Sequence, residues 1–102
     1  MATIEFNPGT TEVPTNVRLK RSKAGDRGAA VFEFEEPVAQ EFLGMTMTDE
    51  EGEMTTREVR VKFADGKFKL IEAIYEMNSP EEWDRFMRFM ERFSEANNLA
   101  KK

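Results

Sequence analysis

Apolar side chains recur first at every second position and later at every third or fourth, so the chain reads as strands followed by a helix. Ile4 and Phe6 share one face of a strand over 3–6, which Asn7-Pro8-Gly9 ends. Val17 and Leu19 alternate with Arg18 and Lys20 over 16–22, Ala24-Gly25-Asp26 turns the chain, and 29–35 returns. In the return strand Ala30, Phe32 and Phe34 point inward and Val31, Glu33 and Glu35 outward, so the two strands form a hairpin. Pro37 breaks that strand, and 37–43 reads as a loop or a single helical turn. Met45 and Met47 mark a strand over 44–48. Asp49-Glu50-Glu51-Gly52 then turns into a long extended run over 53–63, with Val59, Val61 and Phe63 on one face. Asp65-Gly66 is a two-residue hairpin turn into a strand over 67–77. There the apolar set changes face, from Phe68 and Leu70 to Ile71, Ala73 and Tyr75, which calls for a bulge or for cover on both sides.

The helical period begins at Ser79, an N-cap followed by Pro80, with Glu82 three residues on to complete a capping box. Over 80–96, Trp83, Phe86, Met87, Met90 and Phe93 form an apolar stripe, Phe89 widens it, and Phe89 and Phe93 sit at its margin. Glu81, Glu82 and Asp84 lie at the positive end of the helix dipole, and Arg88 and Arg92 towards the negative end. Asn97 and Asn98 end the helix, and Lys101-Lys102 is a frayed tail. The expected fold is α+β: a twisted antiparallel β-sheet built from hairpins and packed by one C-terminal α-helix, in a single domain over 1–102. Its expected core includes Phe32, Phe34, Trp83, Phe86, Met87, Met90 and Phe93.

Composition narrows the chemistry. The chain has neither Cys nor His, which removes thiol nucleophiles, disulfides, zinc–thiolate sites and the side chain most used for proton transfer near neutral pH. Its glycines stand singly at turns, so no phosphate-binding loop is present. No catalytic, cofactor or metal site is expected. Asp49, Glu50, Glu51 and Glu53 around Gly52 could be weighed as a cation site, but their spacing is not that of a calcium loop, and they read as a solvated turn. No apolar run approaches the length of a membrane span, and Met1-Ala2-Thr3-Ile4-Glu5-Phe6 has the layout of neither a signal nor a transit peptide.

The net charge of 15 − 20 = −5 disfavours nucleic acid as a partner. Against it stands one local basic patch, Arg18, Lys20, Arg21, Lys23 and Arg27, offset only by Asp26. This strand and turn read as a docking patch for acidic segments of another protein. The alternative is a small RNA-binding module over 18–27, which would need outward aromatics that the alternation does not supply.

Some segments carry a resemblance. Glu82-Trp83-Asp84-Arg85-Phe86-Met87-Arg88-Phe89-Met90-Glu91-Arg92-Phe93 resembles the signature helix of the photosystem II assembly protein family Psb-twenty-eight (Psb28). Asp49-Glu50-Glu51-Gly52-Glu53 with Thr56-Arg57-Glu58-Val59 is similar to the entry of that family's central hairpin. Val17-Arg18-Leu19, Arg21-Ser22 and Gly25-Asp26 resemble its early strand and turn, and Ile71-Glu72-Ala73 with Tyr75 its return strand. The likeness runs from about Ile4 to Leu99. It departs in a shorter stretch between Phe34 and Leu43 and in a brief tail after Leu99.

The resemblance implies a soluble, cofactor-free protein, peripheral to the cytoplasmic face of the thylakoid membrane in a cyanobacterium, or in the chloroplast stroma. It implies transient attachment to photosystem II intermediates during assembly and repair, near the inner antenna subunit and the cytoplasmic loops of the reaction-centre subunits. A tail of the antenna subunit would pair with the sheet edge. The contacts expected on this side are Arg18, Lys20, Arg21, Lys23, Arg27, Glu51 and Arg57.

Overall fold

The computed structural model describes residues 2–97. Eight strands precede one helix: β1 (Thr3–Asn7), β2 (Thr10–Glu12), β3 (Asn16–Arg21), β4 (Gly28–Phe34), β5 (Met45–Asp49), β6 (Gly52–Thr56), β7 (Val59–Ala64), β8 (Lys67–Met77) and α1 (Pro80–Ala96). The α+β class, with antiparallel hairpins and one C-terminal helix, is what the pattern called for. The strands divide between two four-stranded sheets, in the orders β2-β1-β5-β6 and β3-β4-β8-β7.

That division corrects the extended run expected over 53–63. The chain leaves the first sheet after Thr56 and enters the second at Val59. The Thr56 hydroxyl secures the crossing, donating to the Ile74 carbonyl at 2.6 Å and accepting the Glu58 amide at 3.1 Å. Periodicity cannot detect such a break, because both halves keep extended backbone.

Strand β2 is also absent from the sequence reading. It places Glu12 in the interior, where its carboxylate accepts the amides of Val38 at 2.9 Å and Ala39 at 2.8 Å. A buried acid that satisfies two loop amides thus pins 37–43, which is a loop without a helical turn.

The Asp65-Gly66 turn holds to the residue, and the bulge in β8 falls just before the expected change of face at Leu70–Ile71. Asp65 and Gly66 both take positive φ, 55° and 76°, as a tight hairpin between β7 and β8 demands. Lys62 pairs with Leu70 and Phe63 with Phe68, so Lys69 is the extra residue of a bulge. The bulge sets Phe68 on the face of Ile71 and Ala73 and leaves Leu70 on the opposite face, a correction of the expected grouping of Phe68 with Leu70.

Helix α1 begins at Ser79, whose hydroxyl accepts the Glu82 amide at 3.1 Å, while the Glu82 carboxylate accepts the Asn78 amide at 2.7 Å. Asn97 caps its C-terminus, while Asn98 and the Lys101-Lys102 tail lie outside the described residues.

The core lies between the two sheets and under α1. Ile4, Met45 and Met47 come from the first sheet, Phe32, Phe34, Ile71 and Met77 from the second, and Phe86, Phe89 and Phe93 from the helix. Phe86 meets Phe32 edge-on at 6.0 Å and stacks with Tyr75 at 5.7 Å. Trp83 and Met90 are only half-buried, and Met87 is exposed at 37%. Phe89, expected at the margin, is fully buried. Helical geometry explains both corrections: the buried stripe runs through Phe86, Phe89 and Phe93, and Met87 lies roughly 100° round the axis from Phe86. Among the described residues, no helix is long and apolar enough to cross a membrane.

Candidate functional site

Strand β3 is an edge of the second sheet. The Ser22 amide donates to the Arg27 carbonyl opposite it, which fixes the alternation of hydrogen-bonded pairs along the hairpin. Asn16, Arg18 and Lys20 therefore bond to β4 through their backbones. The backbone groups of Val17, Leu19 and Arg21 face outward. The same alternation carried across β4 and β8 agrees with the Ile74 amide donating to the Glu58 carbonyl at 2.9 Å.

The basic patch expected from sequence lies along this edge and the turn after it. Arg18 projects from the outer face, bonding Glu33 at 3.0 Å and approaching Glu72 at 3.7 Å. Lys20 and Lys23 are exposed and form no ion pair among the described residues. Arg21 is fixed on both sides: it donates to the Gly25 carbonyl at 3.2 Å, and its guanidinium lies over the Trp83 ring at 4.6 Å. Arg27 is exposed and, with Lys20, Arg21, Glu76 and Met77, lines an open groove of about 440 Å³ beside the turn.

Gly28 forms part of that groove for a steric reason. A Cβ there would sit 2.4 Å from the Trp83 ring and 2.8 Å from the Lys20 carbonyl. Neither this contact nor the Arg21–Trp83 stack was visible from sequence, because both join segments far apart in the chain. Together they hold the β3–β4 turn against the start of α1.

Glu51, expected as a partner contact, lies apart from the basic hairpin, on the turn between β5 and β6. It is tied to α1: Arg88 donates to it at 2.8 and 2.9 Å, Arg92 at 2.7 Å, and Arg85 lies 3.6 Å away. The hydrogen bond from Arg88, then that from Arg92, lowers its carboxyl from 4.5 to about 2. Asp49, with its side chain only 1% exposed, accepts two bonds from Arg85 at 2.7 and 2.8 Å, one from Arg92 at 2.9 Å and the Glu51 amide at 2.9 Å. The Arg85 bonds hold its carboxyl far below the usual carboxylate range. Arg88 and Arg92 thus serve these carboxylates on the β5–β6 turn, with no basic residue in the last turn of α1. Three of the acids weighed as a cation site, Asp49, Glu50 and Glu51, are engaged by arginines, and among the described residues no cluster is arranged to hold a metal ion.

Arg57 lies at the crossing between β6 and β7, exposed and away from the β3 patch in sequence and in sheet. The structure therefore brings Arg18, Lys20, Arg21, Lys23 and Arg27 onto one hairpin, while Glu51 and Arg57 lie on other elements.

The family model described as "Psb28 protein" matches residues 4–101. A protein named "Photosystem II reaction center Psb28 protein" from Synechococcus sp. (strain JA-3-3Ab) is 59% identical, with 98% of each chain covered. Proteins of the same name are 51% identical in Synechococcus elongatus, over 97% of this chain and 95% of that one, and 50% identical in Nostoc punctiforme, over 98% and 95%. Matched nearly end to end and at half or more of its positions, the chain belongs to the Psb28 family.

Proposed function

We propose that this chain is a non-catalytic factor for photosystem II assembly and repair. It binds intermediates transiently at the cytoplasmic (or stromal) face of the thylakoid membrane, near the inner antenna subunit and the cytoplasmic loops of the reaction-centre subunits. The names of its relatives associate those proteins with the photosystem II reaction centre, which supports the choice of partner.

One observation carries the mode of binding: β3 is an edge strand whose outward backbone groups at Val17, Leu19 and Arg21 are flanked by Arg18, Lys20, Lys23 and Arg27. An extended acidic segment of the partner adds to this edge as a further strand, and the cations speed encounter and set its salt dependence. A transient contact fits an interface of about 1,200–1,600 Å² in total. The RNA alternative is less well supported, because β3 carries no aromatic residue to stack bases.

Co-sedimentation with partly assembled photosystem II from thylakoids, in a strain stalled in assembly, tests the reading. The protein is expected with the intermediates; recovery in the soluble fraction alone overturns it.

A further inference from the structure

All ten residues from Arg60 to Lys69 are exposed, although most of them lie in strands. The tip of the β7–β8 hairpin therefore stands clear of the body, with solvent on both faces. Those faces differ. Val61 and Phe63 are two apart on β7, and Phe68 is the cross-strand partner of Phe63, so all three share one face. They are 43%, 65% and 46% exposed. Arg60, Lys62 and Lys67 belong to the other face, and Lys69 is the extra residue of the bulge.

Asp65 is the one acid among residues 60–69, so the tip carries 4 − 1 = +3 in a chain of net charge −5. Lys62 approaches Glu72 at 3.8 Å and Arg60 bonds Glu58 at 3.0 Å, whereas Lys67 and Lys69 form no ion pair among the described residues. A second copy of the chain is a poor occupant, because pairing β7 with itself would bring Arg60 and Lys62 against their own counterparts. A convex tip with two phenylalanines and long cationic arms complements a deformable anionic surface. The rings enter the boundary between headgroups and acyl chains, and the lysine stems extend along it to reach the headgroups.

We propose that the β7–β8 hairpin is an interfacial contact for an anionic lipid surface, with Phe63 and Phe68 entering the boundary and Lys67 and Lys69 engaging the headgroups. The contact is independent of the β3 edge and gives a peripheral protein a second, weak hold on the membrane beside its protein partner.

Co-sedimentation of the full chain with vesicles of phosphatidylcholine, with and without phosphatidylglycerol, tests it. The protein pellets with the phosphatidylglycerol vesicles at low salt and is released at high salt. The double variants F63Q/F68Q and K67Q/K69Q each lower vesicle affinity at least about tenfold, since each lysine near an anionic surface is worth roughly a factor of five. Both replace exposed side chains, and unchanged melting temperatures confirm that they fold. Absence of wild-type binding at low salt overturns the proposal, as do variants that bind like the wild type. Loss of F63Q/F68Q from detergent-solubilised photosystem II intermediates, with vesicle binding intact, overturns it in favour of a protein contact.

Discussion

Replacing Asp49 by Asn tests the arginine clamp between the β5–β6 turn and α1. The side chain is almost fully buried and accepts three guanidinium hydrogen bonds and one amide bond. Asn keeps the shape but removes the charge, leaving Arg85, only 19% exposed, without its main counterion. Breaking a buried pair from one side costs about 3–5 kcal/mol. The lower end applies, because Arg92 reaches solvent and Glu51 stays within reach of all three arginines. A loss of about 3 kcal/mol lowers the melting temperature of a chain this size by roughly 12–24 °C. Acid titration gives a second reading. The folded-state pKa of Asp49 lies below its ordinary 3.8, so its contribution is present above that value and is lost as pH falls through the folded value. Thermal melts of wild type and Asp49→Asn should therefore converge as the solution is made strongly acid. A loss under about 1 kcal/mol at neutral pH, or parallel acid profiles, would refute the clamp.

Other substitutions probe the packing of α1. Gly28→Ala drives a methyl into the Trp83 ring and the Lys20 carbonyl, and urea denaturation should give a loss of about 1–3 kcal/mol. Trp83→Ala costs about 2–3 kcal/mol, below the usual range for a buried aromatic, because the indole is half-buried. Phe89→Ala, by contrast, empties a fully buried site and costs about 3–5 kcal/mol in the same assay. Met87→Lys should lie within about 0.5 kcal/mol of wild type, and a core-sized loss there would contradict the helix orientation.

The elements most legible in the sequence were those specified by neighbouring residues. Ser79, Pro80 and Glu82 fix where α1 starts, Asp65-Gly66 fixes the β7–β8 hairpin, and the broken alternation between Phe68 and Ile71 announces the bulge. Features set by distant segments were not legible. The break after Thr56 depends on the Ile74 carbonyl, and the burial of Glu12 on the amides of Val38 and Ala39. For the candidate site, alternation placed the cations of β3 on one hairpin, but could not show that Glu51 is held by arginines of α1. A signal was present: Arg85, Arg88 and Arg92 recur at helical spacing beside the apolar stripe, facing acids at every second position, Asp49 and Glu51. Phe63 followed the alternation of Val59 and Val61, but its face runs past the end of the core.

The outward backbone of β3 can be probed with one residue. The Leu19 amide faces away from β4, so Leu19→Pro removes a donor from the open edge without breaking the hairpin ladder, and proline is tolerated on edge strands. Circular dichroism establishes that the variant folds, and R18Q/K20Q provides a charge-only counterpart. The decisive measurement is the affinity of Leu19→Pro for partly assembled photosystem II: strand addition at β3 predicts a loss of at least about tenfold, since a backbone hydrogen bond is forfeited and the added strand sterically blocked. Wild-type affinity in a folded Leu19→Pro protein would contradict docking through this edge.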